Sequence, residues 1–231
     1  MTKHFYRDME LLHREILALS ALVEEMIDDA ARSLLERDAD LARQVIRTDQ
    51  QVDDREVYIE DYCLKMLALH QPVAVDLRRI ATVMKVDNDL ERIADLAVNV
   101  AERAESLTQF PAFPIPAEVN QIVARSTEMV RGAMDAFVNL DTEQARRVRE
   151  GDDVVDRLNA EIIDELTDLM HGNSQMITPA MHCFSAVRHI ERIADHATNI
   201  AEDVIYLVEG DIVRHRSPGS SQSVSSFRPA E

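Results

Sequence analysis

Apolar residues recur every three or four positions along most of the chain, a spacing that predicts α-helices rather than strands. The first helix is expected at about 8–36. Its apolar side consists of Leu12, Ile16, Leu19, Val23, Met26, Ile27, Ala30 and Leu34. After a break at 38–40, a second helix should run to about Leu69, and a third should cover 72–108.

The helical pattern starts again after a proline-rich segment. Residues 110–116 read FPAFPIP, and three prolines in seven positions cannot continue a helix. Beyond this segment, three further helices are expected over 117–140, 142–171 and 179–209. Since no stretch alternates apolar and polar residues as a strand would, the fold class is predicted to be all-α.

Prolines and glycines indicate where several helices begin and end. Pro72 and the pair Thr178 and Pro179 are expected in first turns, where proline's missing N–H costs little and threonine can cap the helix. Gly172 and Gly210 are expected just past helix C-termini, where the chain often adopts a positive φ.

One stretch occurs twice, and it suggests an internal repeat. Residues 91–102 read ERIADLAVNVAE, and residues 191–202 read ERIADHATNIAE. On a helix, at roughly 100° per residue, the oxygen-bearing side chains of each copy fall within about 80° of one another. These side chains are Glu91, Asp95, Asn99 and Glu102 in the first copy, and Glu191, Asp195, Asn199 and Glu202 in the second.

The second and fifth helices also correspond. Asp49 and Asp53 reappear as Asp152 and Asp156, 103 residues further along the chain. The repeat therefore predicts two tandem three-helix bundles related by an internal pseudo-repeat. The expected divisions are a first bundle at 1–110, a linker at 111–116, a second bundle at 117–214 and a disordered Ser-rich tail at 215–231.

The formal net charge of −18 changes which partners are plausible. Nucleic acid and anionic lipid would both repel an acidic surface, so neither is expected as a partner. Metal cations or a basic protein face fit this charge better. The N-terminus lacks the apolar run of a signal peptide, and no apolar window is long enough to span a bilayer, so we expect a cytoplasmic protein with no membrane insertion.

The acidic stripes suggest metal binding, but they also have a simpler explanation. If the stripes of the second and third helices lie side by side, like charges would recruit cations such as Mg²⁺, Ca²⁺, Mn²⁺ or iron, which prefer oxygen ligands. Charged residues on the exposed side of amphipathic helices would give the same pattern. The asparagine that recurs between Asp and Glu favours metal binding, because it offers a neutral oxygen ligand.

Histidines and cysteines are not expected to be metal ligands. His182, His189 and His196 form a separate stripe, rotated from the carboxylates by roughly 60° or more, so we expect them in packing or partner contacts. Cys63 and Cys183 lie within predicted helices and lack metal-site spacing, which favours reduced thiols without a functional role.

These motifs resemble those of the PhoU family of phosphate uptake regulators. The resemblance is carried by the doubled ERIAD motif with its following Asn and Glu, by QPVAVDLR at 71–78, and by IAEDVIYLVEG at 200–210, and it covers about 10–215. It implies two three-helix bundles, a homodimer and metal clusters on the bundle surfaces. The family usually has Gly where this chain has Ala94 and Ala194, which leaves every oxygen ligand in place.

The resemblance also implies a set of metal ligands in each half. In the first half the implied ligands are Asp49, Asp53, Glu91, Asp95 and Asn99. In the second half they are Asp152, Asp156, Glu191, Asp195 and Asn199. The metal would be a divalent or trivalent cation: magnesium, manganese, iron or zinc.

The resemblance also implies a regulatory function. Family members are not enzymes; they resemble adaptors that link the ATPase of the phosphate ABC transporter to a sensor histidine kinase and repress the phosphate-starvation response. A ferritin-like, carboxylate-bridged iron protein is an alternative, although such sites use two Glu-x-x-His pairs and only Glu10 with His13 has that spacing here. A third hypothesis is a structural helical scaffold that binds no metal.

Overall fold

A computed structural model describes residues 3–210 and consists of six α-helices in this region, with no strand. The helices are α1 (Lys3–Glu36), α2 (Ala39–His70), α3 (Val75–Leu107), α4 (Glu118–Asn139), α5 (Thr142–Gly172) and α6 (Ile177–Glu209). The predicted all-α class is confirmed. The disordered tail predicted at 215–231 lies outside the described residues.

The apolar stripes become the core of the molecule. On α1, the side chains of Leu12, Ile16 and Val23 are at most 1% exposed. This stripe continues toward the N-terminus through Phe5, which is fully buried, so α1 begins before the predicted 8. Buried apolar residues from all six helices form one continuous cluster. No helix within 3–210 is long and apolar enough to cross a membrane.

The pseudo-repeat extends to the turns between helices. Asp38 caps α2 by accepting hydrogen bonds at Oδ1 from the N–H groups of Asp40 and Leu41, at 2.9 and 3.0 Å. Asp141 caps α5 in the same way. The residues just before these caps, Arg37 and Leu140, both have positive φ, at 59° and 54°. Thus the two halves use the same turn to reverse the chain.

The prediction that Pro72 opens the third helix was wrong. Helix α3 begins at Val75, and the three residues before it connect the helices. The chain leaves α2 through Gln71, which has a φ of 45° and donates its N–H to the carbonyl of Leu67 at 3.1 Å. Ala74 also has positive φ, at 49°. The chain needs these residues to reverse direction, and proline's preference for a first turn is overridden.

The cap predicted at Thr178 was also wrong. Helix α6 begins at Ile177 after a short 3₁₀ turn at Ser174–Met176, and Asn173 caps that turn by accepting the N–H of Gln175 at 3.0 Å. Pro179 is consequently the third helical residue. The first four N–H groups of a helix have no partner within it, so proline costs little there as well.

The two glycines differ. Gly210 follows α6 with a φ of 80° and donates its N–H to the carbonyl of Tyr206 at 2.9 Å, as predicted. Gly172 is the last residue of α5 and does not have positive φ, so that prediction was wrong. The extended Asn173, with a φ of −155°, ends this helix instead.

The halves meet along α3 and α6, which run antiparallel. Lys85 Nζ contacts Asp203 Oδ1 at 2.9 Å, and further along α3, Asp89 Oδ1 contacts His196 Nδ1 at 2.8 Å. As the residue number rises along α3, the number of the contacting residue on α6 falls, as expected for antiparallel helices. Fully buried alanines, including Ala94 and Ala194, lie on these two helices, so the methyl groups at both positions are packed in the core.

The proline-rich segment packs against the first half. Phe113 is 2% exposed, and the Arg37 guanidinium donates to the carbonyls of Phe110, at 2.6 Å, and Phe113. Residues 108–117 contain no helix, as the prolines predicted. The domain boundaries drawn from this segment stay a prediction.

Candidate metal-binding faces

Two neighbouring helices of the first half carry a cluster of carboxylates. We call it the first acidic face: Asp49, Asp53, Glu56 and Glu60 of α2, with Asp87, Glu91 and Asp95 of α3. Charges act between the helices, because Asp95 of α3 raises the pKa of Asp49, after burial and Asp53. The predicted stripes therefore do face each other.

The strongest perturbations lie on α3. Burial raises the pKa of Asp87 to about 8, and the charges of Glu56, Glu60 and Glu91 add to this effect. Burial likewise raises the pKa of Glu91 to about 7, with a smaller contribution from Asp95. Carboxylates in this situation hold protons near neutral pH unless a cation compensates their charge.

Asp87 was missed by the sequence analysis, although its position carries a signal. It lies four residues before Glu91 and so continues the same helical stripe. Its side chain is 2% exposed, and no hydrogen-bond partner within 3–210 reaches Oδ1. A buried acceptor without a donor is costly, and a bound cation would satisfy it.

Arg92 partly neutralises this face from its edge. Its Nη1 donates to Asp95 Oδ2 at 3.0 Å, and its Nε lies 3.3 Å from Glu91 Oε2. The guanidinium is about half exposed, so it can swing into solvent at little cost. Arg92 could therefore leave these carboxylates free to bind a cation.

The second acidic face is the counterpart on α5 and α6. It consists of Asp152, Asp156, Asn159, Glu191 and Asp195. Burial raises the pKa of Asp152 to about 6, with Asp195 and Asp156 adding to the shift. Burial also raises the pKa of Asp195, and Glu191 is its next largest cause. The two predicted stripes of this half therefore lie together as well.

The second face also contains buried oxygens without donors. Glu191 is 8% exposed; Arg188 Nη1 donates to its Oε1 at 2.9 Å, while its Oε2 has no hydrogen-bond partner among the described residues. Asn159 Oδ1 is also buried and has no hydrogen-bond partner among the described residues. Both faces thus offer buried acceptor oxygens that fit a hard cation.

The two asparagine side chains of the repeat point toward different partners. Asn99 Nδ2 donates to the carbonyl of Asp95 at 2.8 Å, within its own helix. Asn199 Nδ2 instead lies 3.5 Å from Asp89 Oδ1, across the interface between the halves. Asn199 therefore lies toward α3, and its role as a ligand stays a prediction.

The carboxylates are near one another but do not form a closed coordination sphere. Within the described region, no group of three or more His, Cys, Asp or Glu side chains is already arranged to hold a metal ion. The donor set fits Mg²⁺, Mn²⁺ or iron by its chemistry, and side-chain rotation would be needed to converge on an ion.

Two of the histidines have partners that do not belong to either face, and both cysteines are buried. His196 contacts Asp89, and the His182 ring lies 6.2 Å from the Phe110 ring, so both make contacts within the chain. Cys63 and Cys183 are fully buried, and burial raises the pKa of each thiol to about 12. A thiol with such a pKa is unreactive at neutral pH.

Comparisons with known proteins match most of the chain. The PhoU domain model matches twice, at 16–104 and at 119–204. The chain is 38% identical to the phosphate-specific transport system accessory protein PhoU homolog of Pseudomonas putida, over 93% of this chain and 84% of that protein. It is 39% identical to the homolog of Pseudomonas aeruginosa, over 93% and 89%.

Solved structures resemble the fold closely. The crystal structure of PhoU from Pseudomonas aeruginosa superposes with a TM-score of 0.87 at 39% identity, covering 90% of this chain and 100% of that chain. The phosphate transport system regulatory protein PhoU from Streptococcus pneumoniae gives a TM-score of 0.85 at 26% identity, with 90% and 99% coverage. These similarities confirm the two tandem three-helix bundles predicted from the sequence, with α1–α3 in the first and α4–α6 in the second.

Proposed function

The chain belongs to the PhoU domain family, and on that premise we propose that it is a negative regulator of phosphate uptake and of the phosphate-starvation response. The observation that carries this proposal is the double match to the family across both bundles. The chain also matches most of the length of two relatives that are named as accessory proteins of phosphate-specific transport. A role in phosphate transport regulation is therefore the best supported one.

The regulator would act as an adaptor on the cytoplasmic side, without catalysing a reaction of its own. Its proposed partners are the ATPase subunit of the phosphate ABC transporter and a sensor histidine kinase, together with a second copy of the chain in a homodimer. Two similar bundles offer two similar surfaces, and the formal charge of −18 suits a partner with a basic face.

Cells provide the direct test of the regulatory role. Deleting the gene should leave alkaline phosphatase expression high in phosphate-rich medium, and a plasmid copy should restore repression. Purified tagged protein should also capture the transporter's ATPase or the kinase. Low expression in the deletion strain, combined with no capture of either partner, would contradict the adaptor role. A solution mass of one chain across micromolar concentrations would contradict the homodimer.

The two acidic faces are proposed to hold Mg²⁺, Mn²⁺, iron or Zn²⁺ and so to stabilise each bundle. The raised carboxyl pKa values and the buried oxygens without donors support this proposal. Bound metal would compensate charges that otherwise repel across the helix pair. It would hold the pairs α2–α3 and α5–α6 in one arrangement that a partner can recognise.

Elemental mass spectrometry of purified variants tests the metal proposal. Replacing Glu91 and Asp95 by alanine should empty the first face and leave the second occupied. The matched double variant, with Glu191 and Asp195 replaced by alanine, should do the reverse. Metal content equal to the wild type in both variants would remove these residues as ligands.

A further inference from the structure

A cavity of about 570 Å³ lies where α1, α3, α4 and α6 meet. Its lining comes from both halves of the repeat and does not include either acidic face. This volume falls within the roughly 300–1,000 Å³ that is typical of small-molecule sites. The proposed adaptor role makes no use of this cavity.

One side of the cavity contains a pair of stacked rings. The His13 ring stacks on the Phe137 ring, with centroids 5.4 Å apart and an angle of 9° between the planes. Burial lowers the pKa of His13, and the nearby Arg79 lowers it further, so the imidazole is neutral near pH 7. Tyr6 and Leu140, which are 52% and 41% exposed, supply accessible apolar surface beside this pair, and buried Val83 and Leu207 close the cavity behind them. Planar aromatic molecules pack well against such surfaces.

The cavity is also more basic than the rest of this acidic chain. Arg14 and Arg79 line it together with one carboxylate, that of Glu10. Among residues 3–210, the carboxylate partner of Arg79 is a distant one, Asp76 at 3.9 Å. The Nε of Arg14 donates to the backbone carbonyl of Glu10 at 3.4 Å rather than to a carboxylate. Both guanidinium groups can therefore bind an anion.

These charges argue against a metal at the Glu10 and His13 pair. A cation placed between them would be repelled by Arg79, which acts directly on His13. An anionic group on the ligand would instead gain charge-assisted hydrogen bonds from arginine. The pair that resembled half of an iron site in the sequence is thus part of a different kind of pocket.

We propose that this cavity binds a small ligand that carries an anionic group on a planar aromatic body. The His13 ring, supported from behind by Phe137, and the Tyr6 ring hold the aromatic part, and Arg79, assisted by Arg14, holds the anion. Because α1 and α3 belong to one half and α4 and α6 to the other, the ligand contacts both bundles at once.

Two fluorescent probes of similar shape test the proposal on the full chain. 8-Anilino-1-naphthalenesulfonate carries a sulfonate, whereas N-phenyl-1-naphthylamine has the same aromatic body and no charge. The sulfonate probe should bind saturably at one site per chain, and more tightly than the neutral probe. Raising the salt concentration should weaken only the sulfonate probe, because salt screens its attraction to arginine.

Variants then separate the anionic and aromatic parts. Arg79→Gln should weaken the sulfonate probe by about ten-fold and change the neutral probe by less than about two-fold. Val138→Trp, at a rim residue that is 38% exposed, should cover the opening and weaken both probes by at least about ten-fold. Arg157→Gln, an exposed arginine of α5, is the matched control and should change neither.

Two results would overturn the proposal. One is sulfonate binding that does not saturate or that is unaffected by Arg79→Gln. The other is neutral-probe binding that survives Val138→Trp in a variant with wild-type helix content by circular dichroism. Neither result bears on repression of phosphate uptake, which the deletion experiment tests separately.

Discussion

Replacing Asp87 by asparagine should stabilise the metal-free protein at neutral pH. Burial and neighbouring carboxylates raise the folded-state pKa of Asp87 from 3.8 to about 8. Between these values the unfolded chain has released the proton and the folded chain still holds it. The wild type therefore loses stability as the pH rises from about 4 to about 8. Asparagine has no proton to release, so the variant avoids this loss.

The size of the effect follows from the pKa difference. One pKa unit corresponds to about 1.4 kcal/mol, so raising the pH from 5 to 7 should cost the wild type about 3 kcal/mol through Asp87. The buried amide of asparagine has its own cost of roughly 1–3 kcal/mol. That cost does not depend on pH. The variant should therefore be similar to the wild type at pH 5 and about 3 kcal/mol more stable at pH 7.

Urea unfolding followed by circular dichroism, with EDTA present, measures this difference at each pH. Asp135→Asn changes an exposed carboxyl of α4 and is the control; its difference from the wild type should not vary with pH. A free-energy difference for Asp87→Asn that stays constant between pH 5 and 7 would refute the reasoning. In a parallel series without EDTA, Mn²⁺ should stabilise the wild type more than the variant, since the substitution removes the charge of Asp87.

Substitutions at three further sites test the fold. Lys85→Met should destabilise the protein by about 1–3 kcal/mol in urea unfolding, because it removes the cation beside buried Asp203; an unchanged midpoint would contradict this ion pair's importance. Phe113→Ala should cost about 3–4 kcal/mol by the same assay, since the ring is 2% exposed; a loss below about 1 kcal/mol would mean that the linker does not pack in the core. Asp141→Ala should cost about 1 kcal/mol through the lost cap, and Asp141→Asn should restore most of it; equal losses would exclude capping as the cause.

Helical periodicity predicted much of this fold because it is a local property. The stripe of α1 appears in the sequence at spacings of three and four, and its members are buried. The duplicated ERIAD stretch placed Glu91 and Glu191 on equivalent helices for the same reason. Neither prediction required knowledge of how distant segments pack.

The features that sequence could not predict depend on how helices dock. Val75 and Ile177 begin their helices where the preceding turn has finished reversing the chain, and the prolines do not decide this point. The burial of Asp87 depends on how α2 and α3 are rotated about their axes. Asn199 turns toward Asp89, which only the antiparallel contact of α3 and α6 brings near.

The antiparallel contact between α3 and α6 has an evolutionary consequence. If two identical single-repeat chains met this way, every interfacial contact would occur twice, once on each side of the symmetry axis. In this chain Asp89 pairs with His196 at 2.8 Å, whereas the corresponding positions on the other side are Leu96 and His189. Covalent fusion of the repeats allows one side to mutate without changing the other. Because both repeats belong to one chain, the two sides of this interface can change separately. In a symmetric dimer of single repeats, each substitution would change both sides.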